Sequence, residues 1–525
     1  MSDIFENALK ATLNNEVALS ENGANMYATS GSKLVDLNFA TAALRNATKE
    51  AIENKFSAAF YENPLLAVKW LFFARDIRGT GMGERRLFRV CFAWLANVRP
   101  NLVAKLLPLV AEYGRFDDIL NCGLEGALWD AVVNYVASQF KKDIDASLED
   151  KPISLLAKWL PSCNTSSPKT RLLAKKLRQA FCMDEKTYRK HLSALRAKLK
   201  VVEVDASANN WSGIDYNAVP SLANLKYKNA FLKHDADRRK KYLDDLTKPE
   251  SGAKINASAS MPCDIVSKYV NASGSNYWHR PTLKLDDTLE AMWKALPDYV
   301  AGNKDGSTIV VCDTSGSMTT RVSGSMTALD VAHSLAIYFA EKLSGPYKDK
   351  FISFSERPKY IDMSNAKTLV DKLTLAYNAA EVANTDLKKT FMLILKTAID
   401  NNLKQEDLPS NVLIVSDMQW DEGVYLPRSY DAKKCAFMTE IADNFAQHGY
   451  KLPRCVYWNV TGGSNRPEVL PVQMNDAGAA LVSGFNPAIA AMVFSAKTNP
   501  YDVLVEALSK KRYQPIEDVF KTVEE

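Results

Sequence analysis

The residues best suited to chemistry follow a short apolar run in the second half of the chain. The segment VVCDTSGSM, residues 310–318, places Asp313, Ser315 and Ser317 at alternate positions. A short apolar run rich in β-branched residues predicts a buried parallel strand, so these polar residues lie in the loop at its carboxyl end. Carboxylate and hydroxyl oxygens are hard ligands, and Gly316 permits a tight turn around a small ion. The segment therefore predicts a site for Mg²⁺ or Mn²⁺.

Two later loops offer matching oxygen donors. Thr385 precedes a predicted helix in VANTDLKKTF, and Asp417 follows a second apolar run, LIVSD. Open α/β sheets bind their ligands beyond the carboxyl ends of the strands, so these loops are expected to meet at one edge. Magnesium keeps several waters, so two carboxylates with a few hydroxyls are enough protein ligands. The predicted metal ligands are Asp313, Ser315, Ser317, Thr385 and Asp417.

Other interpretations of the DTSGS segment lack supporting residues. An aspartic protease continues from Asp-Thr to Gly, whereas Ser315 follows Thr314 here, and no second motif supplies the partner carboxylate. A serine hydrolase needs a base, and no histidine occupies a strand-end position. A purely structural role remains open, in which the serines cap a helix and Asp313 turns the chain without a metal.

Length and composition indicate an ordinary globular protein with two or more domains. The chain has 525 residues, of which 47% are apolar and 24% are charged. No run approaches the roughly 18 apolar residues of a membrane span, and the first residues lack the basic start of a secretory signal. We therefore expect a cytoplasmic protein without a membrane partner. The eight cysteines and five histidines are scattered singly, which disfavours a zinc site.

The two halves of the chain differ in hydrophobic period. Up to about residue 300, apolar residues recur at three- and four-residue spacing, as in NLVAKLLPLVAEYG, which predicts amphipathic helices stacked as hairpins. From Ser307 onward, short apolar strands alternate with helices, which predicts a doubly wound α/β domain. The predicted fold is multidomain, α plus α/β, divided into residues 1–300 and 301–525. The predicted strands are STIVVCD, KFISFS, NVLIVSD, CVYWNVT and AALVSGF.

The strongest local charge lies in the helical half. Residues 169–200 carry eleven Lys or Arg against two acidic residues, although the net charge of the whole chain is only +5. One predicted helix face carries Arg171, Lys175 and Arg178. Tyr188 and His191 lie among the basic residues of the same segment. Such a basic stripe is typical of a protein that binds RNA phosphates, and an ordinary solvated helix face is the alternative. The apolar residues assigned to the opposite face are Leu172, Leu173, Leu177 and Phe181.

The segment RDIRGTGMGERR, residues 75–86, combines glycines with arginines. It lacks the Lys-Ser/Thr ending and the preceding strand of a phosphate-binding loop. One interpretation is a turn between helices whose Asp76, Glu84 and arginines form ion pairs, and the other places Arg78 and Arg85 on an RNA-facing rim. The candidate RNA contacts are Arg171, Lys175, Lys176, Arg178, Arg189, Lys190, Arg78 and Arg85.

The whole pattern resembles two known families. DTSGSM, followed by Thr385 and Asp417 in successive strand-end loops, resembles the metal-ion-dependent adhesion site of von Willebrand factor A domains. This resemblance implies that Asp417 often binds the ion through water, whereas the other four predicted ligands bind it directly. ENPLLAVKWLFFARDIRGTGMGERRLFR and EYGRFDDIL resemble the TROVE module of Ro-like ribonucleoproteins, which implies a ring or partial ring of HEAT-like repeats. LLAKWLPS and YRKHLSALR resemble TROVE-like proteins of unassigned function, some of them from phages.

The resemblance to Ro-like proteins implies a non-catalytic RNA-binding protein. The helical half would hold non-coding or misfolded RNA by its single-stranded ends, and the ion would accept a carboxylate from a partner protein. Two alternatives remain open. One is a metal-dependent assembly module without RNA binding, and the other is a metal-dependent hydrolase in which Asp313 and Asp417 activate water.

Overall fold

The chain forms two compact units, each built from two separate segments. The computed structural model describes residues 17–274, 281–302, 307–381, 383–421, 437–461 and 468–524. One unit, called here the sheet unit, comprises Met1–Trp70 and Ser260–Lys511, and the other, the helical unit, comprises Leu71–Ala259 and Arg512–Glu525. These units differ from the predicted division into residues 1–300 and 301–525. The reason is that N-terminal elements pack within the sheet unit, so that the backbone of Tyr27 pairs with that of Leu470.

The described part of the first segment of the sheet unit starts with a small hairpin. Its strands β1 and β2 are antiparallel, and three helices follow them. The first of these helices begins at Lys33 because Ser32 caps it, accepting a hydrogen bond from the backbone of Val35. The boundary between the two units falls within the next helix, α4. The bounds are β1 Val17–Leu19, β2 Asn25–Tyr27, α1 Lys33–Phe39, α2 Thr41–Leu44, α3 Lys49–Glu62 and α4 Pro64–Arg75.

The helical unit contains the amphipathic helices predicted from the apolar period. In α5, Leu87, Cys91 and Leu95 recur at four-residue spacing and are buried. Along the described ranges, no helix is long and apolar enough to cross a membrane. The bounds are α5 Arg85–Val98, α6 Pro100–Tyr113, α7 Phe116–Leu120, α8 Gly126–Leu148, α9 Leu156–Trp159, α10 Pro168–Ala180, α11 Glu185–Lys198, α12 Val202–Ser207, α13 Ser221–His234 and α14 Ala236–Asp245.

The second segment of the sheet unit contributes the main sheet. Helices α15 (Pro262–Ala272) and α16 (Asp287–Lys294) precede it. Helix α17 begins with a reciprocal cap between Thr327 and Asp330. The remaining bounds are β3 Thr308–Asp313, β4 Arg321–Ser323, β5 Met326–Thr327, α17 Ala328–Lys342, β6 Lys350–Phe354, β7 Lys359–Asp362, α18 Leu369–Ala379, α19 Leu387–Asp400, β8 Asn411–Ser416, α20 Phe437–Gln447, β9 Arg454–Asn459, β10 Ala479–Ser483 and α21 Pro500–Leu508.

Six strands form one mixed sheet in the order β10-β9-β8-β3-β6-β7. Five are parallel, and β7 runs antiparallel to β6 at the edge. If these six strands are numbered 1 to 6 in the order in which they occur along the chain, their order in the sheet is 3-2-1-4-5-6. This is the doubly wound order, whose direction reverses between the first and the fourth strand. These two strands are β3 and β8, and every residue in both is buried. The helical first half, the α/β second half and the five predicted strands are confirmed, whereas β7 was missed.

A buried carboxylate ties the C-terminal helix α22 (Gln514–Glu524) into the helical unit. Asp76 is fully buried and accepts hydrogen bonds from Arg512 Nη2 at 2.7 Å, Tyr513 Oη at 3.1 Å and Gly79 N at 2.9 Å. The neighbouring Arg75 is also buried and pairs with Asp118 at 2.7 Å. The segment 75–86 therefore does form ion pairs, but with partners distant in the sequence.

We expect Arg512→Ala to lower the free energy of unfolding of the helical unit by about 3 kcal/mol, because it leaves the buried charge of Asp76 without its cation. Thermal and urea unfolding followed by circular dichroism measure the effect. Lys511→Ala is the control, because this neighbouring side chain is exposed. Equal stability of the two variants would contradict the prediction.

Candidate metal centre

Two buried aspartates lie where the sheet order reverses. The strands β3 and β8 are parallel neighbours in which Cys312 lies opposite Val415. Since β3 ends at Asp313 and β8 at Ser416, the side chains of Asp313 and Asp417 are at the same edge. Their exposed fractions are 0% and 2%. This carboxyl edge is the place at which doubly wound sheets bind ligands.

The loop after β3 turns its oxygens towards this edge. Asp313 Oδ1 accepts a hydrogen bond from Ser315 N at 2.9 Å, and Oδ2 accepts one from Ser416 Oγ at 2.6 Å. The hydroxyl oxygens of Ser315 and Ser317 are 2.9 Å apart. Ser315 precedes a short 3₁₀ helix, Gly316–Thr319, yet its side chain does not cap that helix. This arrangement disfavours the capping role that the sequence left open for Ser315.

The loop that carries Thr385 is hydrogen-bonded to both other loops. Gly316 N donates to Ala383 O at 3.0 Å, which joins it to the loop after β3. Thr385 N donates to Asp421 Oδ2 at 2.8 Å, which joins it to the loop after β8. Thr385 itself is 1% exposed. The structure thus joins the three predicted loops at one edge of the sheet, and the five predicted ligands belong to these loops.

The surroundings of Asp313 disfavour its ionised form. Burial, together with the nearby charge of Asp417, raises the pKa of Asp313 to about 7. Hydrogen bonds from Ser416 and Ser315 act in the opposite direction but do not cancel the burial. A divalent cation between the two carboxylates would relieve the repulsion and favour their ionised forms.

The donor set suits a hard cation. Among the described residues, no group of three or more His, Cys, Asp or Glu side chains is arranged to hold a metal. The candidate centre has two carboxylates, and its other three donors are hydroxyls. Zinc sites use thiolates and imidazoles, whereas Mg²⁺ and Mn²⁺ accept a shell of oxygens completed by water. The residues present therefore fit the predicted Mg²⁺ or Mn²⁺.

A pocket in the sheet unit opens beside Asp417. A concave surface with mixed apolar and polar walls is typical of a ligand site, and here one wall includes a candidate metal ligand. The pocket is lined by Ala28, Asp36, Phe39, Ala40, Ala43, Lys55, Asp417, Gln419, Asn459, Thr461, Glu468, Val469 and Leu470.

Sequence reasoning missed three residues around the centre. Ser416, which hydrogen-bonds Asp313, stands directly before Asp417 in LIVSD, so its position next to a ligand was a usable signal. Asp421, which holds the backbone of Thr385, lies four residues after Asp417. Asn22 donates to Thr385 Oγ1 at 3.4 Å from a distant part of the chain, and no pattern in the sequence indicates this contact.

The candidate RNA contacts on α10 and α11 are largely exposed. Arg178 is half-buried, and its Nη1 donates to Met183 O at 3.4 Å. Two details of the predicted surface are wrong. Tyr188 is fully buried, donating to Pro161 O at 2.8 Å, so it belongs to the core, and Leu172 is 56% exposed. The exposed candidates on these helices, called here the basic face, are Arg171, Lys175, Lys176, Arg189 and Lys190.

Arg78 and Arg85 are also exposed, but they lie outside the basic face. The side chain of Arg78 donates from Nε to Gly114 O at 3.1 Å, so part of it is used within the helical unit. Burial, and to a lesser extent the nearby charge of Arg85 at the start of α5, lowers the pKa of Arg75 and lowers that of Arg115 to about 10.

The fold and the site define an α/β protein with a candidate divalent centre at the switch point of its sheet. Residues 20–121 and 125–303 match the family described as Domain of unknown function (DUF2828), and the chain belongs to that family. Residues 307–518 match Domain of unknown function (DUF7788). An uncharacterized protein of Acanthamoeba polyphaga mimivirus is 28% identical over 541 residues, covering 95% of this chain and 88% of that protein. The two family matches meet close to the predicted division at residue 300.

Proposed function

We propose that the chain is a non-catalytic binding protein that holds Mg²⁺ or Mn²⁺ at the candidate metal centre and binds a partner through the ion. One observation carries this proposal. Asp313 and Asp417 are both buried at the switch point, where burial and the nearby charge of Asp417 raise the pKa of Asp313, so that a bound cation would favour its ionised form.

The donor set leaves room for a partner. Magnesium takes six oxygens in near-octahedral order, and the chain offers five protein oxygens. The resemblance to von Willebrand factor A domains implies that Asp417 often binds the ion through a water molecule. A carboxylate from a partner protein then completes the shell by replacing a water. The pocket beside Asp417 offers a surface for the residues that flank this carboxylate. The doubly wound strand order supports the proposal that the sheet belongs to a von Willebrand factor A-type domain.

Titration of the wild-type chain with Mn²⁺, followed by electron paramagnetic resonance of the free ion, tests the proposal. We expect the affinity to rise about tenfold between pH 6 and pH 8, because protons compete with the metal for a carboxyl of raised pKa. Mg²⁺ should displace the Mn²⁺. No binding at pH 8 would refute the proposed function.

The carboxyl of Asp313 also determines how the stability of the metal-free protein changes with pH. A pKa raised in the folded state means that the folded chain binds more protons than the unfolded chain between about pH 4 and pH 7. The contribution of Asp313 to the free energy of unfolding therefore falls as the pH rises through this interval. Mg²⁺ should restore that stability at pH 8, in the same titration series.

The basic face supports RNA as a second ligand. Its exposed Lys and Arg side chains can contact phosphates, and such contacts select single-stranded ends or shape rather than sequence. We propose non-coding or misfolded RNA as the cargo and a TROVE-like arrangement of HEAT-like repeats for the helical unit. The seven described cysteines form no disulfide, which supports a cytoplasmic location.

A further inference from the structure

The turn between β1 and β2 lies against the loop that follows β8. Ser20 Oγ donates to Trp420 O at 2.5 Å, and Glu21 N donates to Gln419 Oε1 at 2.7 Å. Gly23 forms an isolated antiparallel bridge with Asp421. Residues 20–24 are thereby fixed beside the candidate metal centre, although they precede its first ligand, Asp313, by about 290 residues.

Asn22 stands at the tip of this turn, and the orientation of its side-chain amide is determined by its partners. Nδ2 lies 2.7 Å from Gln419 O, and a backbone carbonyl can only accept, so the nitrogen must face it. The same nitrogen donates to Thr385 Oγ1 at 3.4 Å. The hydroxyl oxygen of Thr385 has two acceptor positions, so one can accept from Asn22 while the other faces a cation.

The same turn also restrains the backbone of Thr385. Asp421, which pairs with Gly23, accepts a hydrogen bond from Thr385 N at 2.8 Å and donates its own backbone N to Thr385 O at 3.0 Å. The residue is therefore held by its backbone through Asp421 and by its hydroxyl through Asn22. Groups that orient metal ligands in this way tune the affinity of the site.

We propose that Asn22 is a positioning residue of the metal centre and that it orients the Thr385 hydroxyl towards the cation. The inference rests on the proposed metal binding. If Asn22 has this role, the metal centre contains residues of both family matches. Asn22 belongs to the matched region 20–121, and the metal ligands belong to the matched region 307–518. The region 307–518 then carries the ligands but lacks one of the residues that set their geometry.

Mn²⁺ titration of the full-length Asn22→Ala variant at pH 8 tests this role. We expect Mn²⁺ to bind about tenfold more weakly to this variant. Removal of a residue that supports a metal ligand typically lowers the metal affinity about 10–100-fold. The low end of that range is expected because the hydrogen bond between Asn22 and Thr385 is long. Asn22→Leu, which keeps the bulk but removes the donor, should give the same loss. Asn25→Ala is the matched control, an exposed asparagine in β2 of the same hairpin, and its affinity should equal that of the wild type.

A double-mutant cycle separates positioning from a general structural effect. In a Thr385→Ala background, Asn22→Ala should cause no further loss of Mn²⁺ affinity, because the hydroxyl that it orients is gone. An equal loss in both backgrounds, or unchanged affinity of Asn22→Ala and Asn22→Leu in the wild-type background, would overturn the inference while leaving metal binding intact. Absence of Mn²⁺ binding by the wild-type chain would instead refute the proposed function itself.

Discussion

Asp313→Asn is expected to weaken Mn²⁺ binding at pH 8 by more than about 100-fold, because loss of a ligating carboxylate should exceed the 10–100-fold cost of losing a residue that only supports a ligand. The substitution preserves the size of the side chain and an acceptor for Ser315 N, which donates to Asp313 Oδ1 at 2.9 Å. The fold of the sheet unit should therefore persist. Electron paramagnetic resonance measures the affinity, and circular dichroism checks the fold.

The same variant separates a metal centre from a structural aspartate. Burial opposes the ionised form of Asp313, so the neutral amide should make the metal-free protein more stable at pH 8. The control is Asp443→Asn, an exposed carboxylate in the middle of α20, which should change neither property. Global unfolding of Asp313→Asn would show that this residue has a structural role, and unchanged Mn²⁺ affinity would remove it from the centre.

The second large effect concerns the basic face. The double variant Lys175→Glu/Lys176→Glu should weaken binding of a single-stranded RNA oligonucleotide by at least about tenfold at low salt. Two lost phosphate contacts should also lower the slope of log affinity against log salt by about 1.4. Both lysines are exposed on α10. Fluorescence anisotropy at several salt concentrations measures the affinity and the slope.

A matched charge reversal tests whether position or net charge matters. Lys240 and Lys241 are consecutive exposed lysines of α14, in the same helical unit. Their double replacement by Glu changes the net charge equally and should leave RNA affinity close to that of the wild type. Equal weakening by both pairs would indicate a general charge effect, and no effect of the α10 pair would move the RNA surface elsewhere.

The two variants together discriminate between the functions considered. Asp313→Asn should not change RNA affinity, and the α10 pair should not change Mn²⁺ affinity, because each acts on a different ligand. A wild-type chain that binds Mn²⁺ but has no salt-dependent affinity for RNA would favour the metal-dependent assembly module. Hydrolysis of a phosphoester that is lost in Asp313→Asn would favour the hydrolase.

Local patterns predicted much of the fold of the sheet unit. β3 and β8 are continuous apolar runs because both faces of a central parallel strand are covered, and such runs are visible without knowledge of the partners. β7 was missed because its burial alternates along an edge strand of only four residues, too short for a clear period. In α11 the period located the helix, but only packing against Phe140 and Phe181, with a hydrogen bond to Pro161 O, made Tyr188 a core residue.

By itself, the sequence determined the helical and α/β halves, the central strands and the five candidate ligands, because strand ends and their polar loops are encoded by neighbouring residues. Only the tertiary structure decided that Ser416 supports Asp313, that Asp421 holds Thr385, and that Asn22 reaches the same threonine from the first hairpin. These contacts join segments up to 363 residues apart. The local sequence does not specify these partners, since the contacts follow from how the first hairpin and the strand-end loops pack together in the folded chain.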